Sequence, residues 1–230
     1  MIFRQLFDSE SSTYTYLLAD DKTKEALLID SVKEQSERDK KVINELGLKL
    51  KYLLETHVHA DHITGVAKMK EYFSESKSVI YQSSGVECAD IFVKDGDKIF
   101  IGQIQIDIIY TPGHTNGDVS YYTNGMVFSG DILLIRGCGR TDFQEGSPDQ
   151  LYDSVNQKLF TLPDETIVYP AHDYKGMTSS SIAEEKNYNP RLANKTKKDF
   201  VEIMNNLNLP YPKKINESLP ANLKCGRTNI

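Results

Sequence analysis

The chain has 230 residues and a formal net charge of -6, with 26% charged and 39% hydrophobic residues. This is the balance of an ordinary globular protein with room for one large core, so residues 1–230 are expected to form a single domain rather than a disordered chain. The acidic surplus argues against a broad nucleic-acid footprint or a surface for anionic membranes, and no apolar run approaches the roughly eighteen residues of a membrane span.

The start Met-Ile-Phe-Arg-Gln-Leu-Phe-Asp lacks the layout of a secretory signal. The cytoplasm is therefore the expected compartment, or the mitochondrial matrix if a transit segment has been removed. Three widely separated cysteines, Cys88, Cys138 and Cys225, are odd in number, do not describe a disulfide framework and suit a reducing compartment.

Short β-like runs bounded by turn residues are predicted at 13–18, 25–29, 50–55, 78–81, 98–101, 104–110, 119–122, 126–129 and 166–169. Helical patterns fall at 32–46, 63–72, 148–159, 180–187 and 199–206. Ser147-Pro148 reads as an N-cap followed by proline at the first helical position, and Asp61 as a cap for the helix after it. Lys195-Thr196-Lys197-Lys198 reads as a solvated helix start, and prolines from Pro210 onward predict an extended tail.

All five histidines lie in three stretches: Thr56-His57-Val58-His59-Ala60-Asp61-His62, Pro112-Gly113-His114-Thr115 and Pro170-Ala171-His172-Asp173. Neutral imidazole is the commonest transition-metal ligand and carboxylate its frequent companion, so the pattern points to a metal site. His57 and His59, two apart on an extended segment, project to one side, with Asp61 and His62 following around a turn. Alone, His114 would serve equally as a turn residue and Asp131 of Ser129-Gly130-Asp131 as a cap; beside the histidines both read as ligands. Each stretch follows a predicted strand, so one sheet edge gathers all of them into a crevice.

In this order the residues resemble the metallo-β-lactamase superfamily, which implies an α+β fold: a four-layer αββα sandwich with metal at the edge between two sheets. Ile135-Arg136-Gly137-Cys138-Gly139-Arg140 is similar to a segment shared by glyoxalase II and the persulfide dioxygenases. Thr141-Asp142-Phe143-Gln144, Tyr169–Tyr174, Asn189-Pro190-Arg191 and the ending Asn206–Pro210 with Pro220-Ala221-Asn222 resemble the dioxygenase branch.

The resemblance implies one Fe(II) per chain, held by His57, His114 and Asp131, with no organic cofactor. Two imidazoles and a carboxylate leave three positions on an octahedral ion, room for a substrate sulfur and O2. His59, Asp61, His62 and His172 are then surrounding hydrogen-bonding groups or, in a glyoxalase II-like thioester hydrolase, ligands of a second metal. The implied reaction oxidises glutathione persulfide with O2 to sulfite and glutathione. The resemblance places Tyr174, His59 and His172 to take part in catalysis, and Arg140, Arg191 and Tyr174 to bind the carboxylate-rich substrate; a surface ion pair or packed phenol would account about equally for Arg191 and Tyr174 and less well for Arg140. Cys138 reads either as a reactive thiol or as a small buried hydrophobe. Neither nucleic acid nor membrane is an expected partner, and a homodimer is compatible with the apolar tail.

Overall fold

The computed structural model describes residues 1–228. Two six-stranded sheets face each other. The first runs in chain order: β1 (Ile2–Asp8), β2 (Thr13–Ala19), β3 (Glu25–Ile29), β4 (Lys49–Leu54), β5 (Lys77–Tyr81) and β6 (Ile91–Val93), antiparallel up to β3 and parallel beyond it. The second contains β7 (Lys98–Ile101), β8 (Ile104–Tyr110), β9 (Val119–Thr123), β10 (Met126–Gly130), β11 (Ile167–Pro170) and β12 (Ser180–Ser181), in the spatial order 12-11-10-9-8-7. Helices α1 (Ser36–Glu45) and α2 (Val66–Tyr72) cover the first sheet, and α3 (Pro148–Gln157), α4 (Ile182–Tyr188) and α5 (Lys197–Asn205) the second.

The period-two rule explains the layering. In β2, Tyr14, Tyr16 and Leu18 point between the sheets and pack on Leu54, Tyr121 and Phe128, while Leu17 and Ala19 point outward against Ile43 and Met69. With both faces covered, every residue of β2 is buried. Val127 and Val168 likewise face outward to Leu151, Ile182 and Phe200. The αββα sandwich implied by the resemblance is the fold observed.

Three strands escape the sequence signals. β1 opens with two consecutive apolar residues and is half-exposed as an edge strand, and β6 and β12 have only three and two residues. Ser147 caps α3 as expected, accepting from the Gln150 amide, and Thr196 opens α5 with a capping box.

Three expectations need correction. The helix predicted from Ile63 begins only at Val66, because the amide of Thr64 and the carbonyls of His59 and His62 bond to the side chain of Asn222 instead of to a helix; Asp61 caps nothing. The tail is not extended throughout: Ile215–Asn222 forms a helix, α6, whose Ile215 and Ala221 are buried and whose Leu219 packs against the outer core of the first sheet. Finally, Cys88 and Cys225 form a disulfide across 137 residues of sequence, leaving only Cys138 free. Widely spaced cysteines did not reveal that α6 folds back onto the loop before β6, and the pairing removes the argument for a reducing compartment.

A buried carboxyl in α1 makes stability depend on pH. Desolvation pushes the Asp39 pKa up to about 6 against the pull of Arg38, and its Oδ2 has no partner. Folding therefore favours the protonated acid: the penalty is absent below the unfolded value near 3.8, grows as pH rises, and is complete above about 6. Asp39→Asn is expected to stabilise the chain at pH 7 by about 1–3 kcal/mol and to flatten the pH 4–6 segment of its denaturation profile.

Candidate metal centre

The site lies where β3, β4, β8, β10 and β11 end at one edge of the sandwich. Asp30, just past β3 and held at φ 52°, accepts from the Thr56 amide (2.7 Å) and hydroxyl (2.8 Å), fixing the backbone that leads into His57. A hydroxyl has one proton, and Thr56 gives it to Asp30. The nearby His57 Nδ1 (3.0 Å) must then donate to Thr56, leaving Nε2 as a lone pair. His114 is set in the same way by a different acceptor: its Nδ1 donates to the Arg140 carbonyl (2.6 Å), and its Nε2 lies 3.8 Å from Asp131 Oδ2. This is the second-sphere arrangement that fixes tautomer and ring orientation at metal sites.

His57, His114 and Asp131 each present a ligand atom within 4.8 Å of the others. A second group, His59, Asp61, His62 and His172, meets the same limit. The two groups differ in how their atoms are used. His172 lies between two carboxylates, Nδ1 on Asp131 Oδ1 (2.7 Å) and Nε2 on Asp61 Oδ2 (2.9 Å), and Asp61 also reaches His62 Nδ1 (3.0 Å). Burial opposes charge on His172, but the flanking aspartates outweigh it and hold its pKa well above the ordinary histidine value. Burial likewise raises Asp131 and Asp61, yet the His172 charge leads the interactions that pull both well below the usual carboxylate range. His57 is kept well below its usual value by burial and by His59 and His114, so it is the neutral imidazole a metal requires.

His59 is fully buried, its Nε2 3.2 Å from Asp30 Oδ1 without hydrogen-bond alignment, and neither of its nitrogens has a partner; His62 Nε2 is unpartnered as well. Buried, unpaired imidazole nitrogens beside a histidine–carboxylate triad fit a metal-binding environment.

The loop residues around the site have partners that the sequence did not disclose. Arg140 makes a two-point ion pair with Asp142, donates to the Pro210 carbonyl (2.8 Å) and lies over the Phe143 ring; its main-chain carbonyl is what orients His114. Arg191 donates to the Cys138 carbonyl (2.7 Å). Tyr174 is 70% exposed and stacks on His172 at 6.2 Å between ring centroids. Burial pushes the Cys138 thiol up to about 11 despite Arg191, and the thiol packs against Met204. Asp30, Thr56, Gln144 (which donates to the Val58 carbonyl at 2.7 Å) and Asn222 all shape the histidine loop; Thr56, Gln144 and Asn222 lie within motifs read from the sequence, whereas Asp30 lies in none of them.

Gly139 is required by close approach. A Cβ there would lie 2.7 Å from the Asp131 carbonyl and 2.7 Å from His114 Nδ1. Gly139→Ala is expected to push the His114 ring off the Arg140 carbonyl and weaken metal binding by at least about tenfold, measured by metal titration beside a thermal melt that reports on the fold.

The family model described as the metallo-beta-lactamase superfamily matches residues 9–81 and 89–172. The chain is 49% identical to the human mitochondrial persulfide dioxygenase ETHE1 over 228 residues, 98% of this chain and 89% of that one. It superposes on the crystal structure of ETHE1 from Myxococcus xanthus with a TM-score of 0.97 at 54% identity, covering 99% of this chain and 100% of the other. A hydroxyacylglutathione hydrolase from Thermosynechococcus vestitus is more distant, 35% identical over 84% of this chain and 75% of that one. With the motif order, the layered fold and these likenesses together, the chain belongs to the metallo-beta-lactamase superfamily and, within it, to the persulfide dioxygenases.

Proposed function

We propose that the protein is a glutathione persulfide dioxygenase with one ferrous ion per chain bound by His57, His114 and Asp131, and that residues 1–230 work as one unit. The observation that carries the ligand assignment is the division of labour among the aspartates and histidines. His57 and His114 each spend Nδ1 on a protein oxygen and Asp131 keeps Oδ2 toward His114, whereas both nitrogens of His172 are engaged by carboxylates. In the net reaction one persulfide, one O2 and one water give one thiol, one sulfite and two protons. Iron supplies the O2 activation when bound.

The chain's own residues orient the reactants and manage protons. Asp131 holds the His172 proton at Nδ1 and Asp61 holds the one at Nε2, so the wall behind the triad is a fixed hydrogen-bonded row from Asp131 to Asp61 to His62. A persulfide is acidic enough to enter as its anion, and burial keeps the rings of His57 and His59 neutral. Tyr174 covers His172 at the mouth and is placed to contact the substrate. Arg140 and Arg191 bind the glutathione carboxylates by exchanging part of their present contacts with Asp142 and the Cys138 carbonyl. A thiol-containing compartment, the cytoplasm or the mitochondrial matrix, supplies such a substrate.

A dinuclear thioester hydrolase is the second reading, favoured by the second ligand group and the unpaired nitrogens of His59 and His62. Metal analysis of anaerobically purified protein, with oxygen-electrode assays on glutathione persulfide and S-lactoylglutathione, separates the two. One iron per chain with persulfide-dependent O2 uptake is expected. Two metals with thioester cleavage and no O2 uptake would refute the dioxygenase.

A further inference from the structure

The loop that carries His57, His59 and His62 has a partner at the far end of the chain. Asn222, buried at the last position of α6, donates through Nδ2 to the carbonyls of His59 and His62 (both 2.8 Å) and accepts from the Thr64 amide through Oδ1 (2.9 Å). One amide side chain thus satisfies three main-chain groups in a six-residue stretch that forms neither helix nor strand. The contact continues past α6: the Cys225 carbonyl accepts from the Ala67 amide at the start of α2 (3.1 Å). Gly226, at φ +80°, comes so near that a Cβ would lie 2.4 Å from the Thr64 carbonyl.

The disulfide sits three residues beyond this clamp. Cys225 is tied to Cys88, and a groove of about 420 Å³, lined by Lys70, Glu71, Arg227 and both cysteines, opens onto the bond. On the inner side a cavity of about 20 Å³ separates Cys225 and Asn222 from Glu55 and His59. The bond therefore has solvent on one side and the histidine loop on the other.

We propose that Asn222 is the positioning residue that sets the shape of the His57–His62 loop, and that the Cys88–Cys225 disulfide keeps it engaged, so that reducing this pair loosens the metal centre. The inference rests on the metal-centre reading above. The reductant is a low-molecular-weight thiol: one thiolate attacks a sulfur of the pair to form a mixed disulfide and free one cysteine, and a second displaces the other cysteine. The net change converts two thiols to one disulfide and leaves Cys88 and Cys225 as thiols. Without the tether, α6 and the residues after it are held by non-covalent contacts, the packing of Ile215, Leu219 and Ala221, the Asn222 bonds, the Cys225 carbonyl on the Ala67 amide and the Lys214–Glu10 ion pair, and the segment opens more often.

The test is the rate at which Fe(II) leaves the anaerobically loaded full chain for an excess of a ferrous chelator. It is read for the oxidised wild type, the wild type reduced with a phosphine, Asn222→Ala, and Cys88→Ser with and without phosphine. Release is expected to be about 10- to 100-fold faster in the reduced wild type and in Asn222→Ala, the range for residues that orient metal ligands. Cys88→Ser should match the reduced wild type and ignore phosphine. Amide exchange in the metal-free protein should speed at residues 57–64 but not in β2 or β3, where general loosening would also appear. If Asn222→Ala fails to fold, the reduced wild type, which carries no substitution, decides. A release rate within about twofold of the oxidised protein, in the reduced wild type or in a folded Asn222→Ala, overturns the proposal. A wild type that takes up no iron overturns the metal-centre reading, whereas iron bound and released at an unchanged rate overturns this inference alone.

Discussion

Asp131→Ala is expected to leave the folded chain without its metal and to lower persulfide-dependent O2 uptake by more than about 10³-fold, since a catalytic metal supplies several kcal/mol to the transition state. Asp131 serves two neighbours, facing His114 Nε2 with Oδ2 and His172 Nδ1 with Oδ1. Its removal deletes a ligand atom and leaves His172 with Asp61 alone, so the row of hydrogen bonds behind the triad is broken as well. The fold should survive, because the two sheet-to-helix cores and the intersheet core lie elsewhere and His172 can lose its proton once its stronger partner is gone. Metal analysis beside a thermal melt checks both parts. A variant that melts normally and still holds one iron per chain would remove Asp131 from the ligand set.

Asp61→Asn separates the two readings of the site. Asp61 contacts His172, His62 and, at 3.4 Å, Thr13, all of them protein groups. If it supports the triad from behind, the asparagine variant keeps one iron per chain and loses about 10- to 100-fold in kcat/KM, the cost of disturbing a group that orients metal ligands. If it is a ligand to a second ion, a metal is lost instead, in proportion to a fall from two ions to one. Counting metal per chain in the variant and the wild type prepared side by side gives the answer without reference to activity. Loss of an ion would sink the mononuclear assignment.

Much of this site was legible because its ligand types are rare and local. Five histidines confined to three stretches, each just after a strand-like run, announce a metal crevice at a sheet edge before any coordinates exist. The strands at Glu25–Ile29, Lys98–Ile101 and Ile104–Tyr110 were equally plain, since turn residues bound them on both sides. The roles of individual atoms were not legible. That His114 is aimed by the carbonyl of Arg140, that Thr56 passes its proton to Asp30, and that His172 is shared by Asp131 and Asp61 all depend on contacts 26 to 111 residues apart.

The C-terminal region shows the same boundary. Proline at 210, 212 and 220 reads as an extended chain, because proline removes a donor and blocks the preceding turn; yet α6 forms with Pro220 inside it, held by burial of Ile215 and Ala221 and by the three bonds of Asn222. Residue type and periodicity determined by themselves a strand-rich chain with interspersed helices, the metal chemistry and the sheet edge where it gathers, since these follow from local pattern; the layered αββα arrangement was implied by the resemblance that the motif order carries. Only the tertiary structure decided which nitrogens remain free for a metal, that Cys88 meets Cys225, and that the last helix shapes the first histidine loop. Those facts depend on which distant main-chain groups come within hydrogen-bonding distance, and no local pattern encodes that.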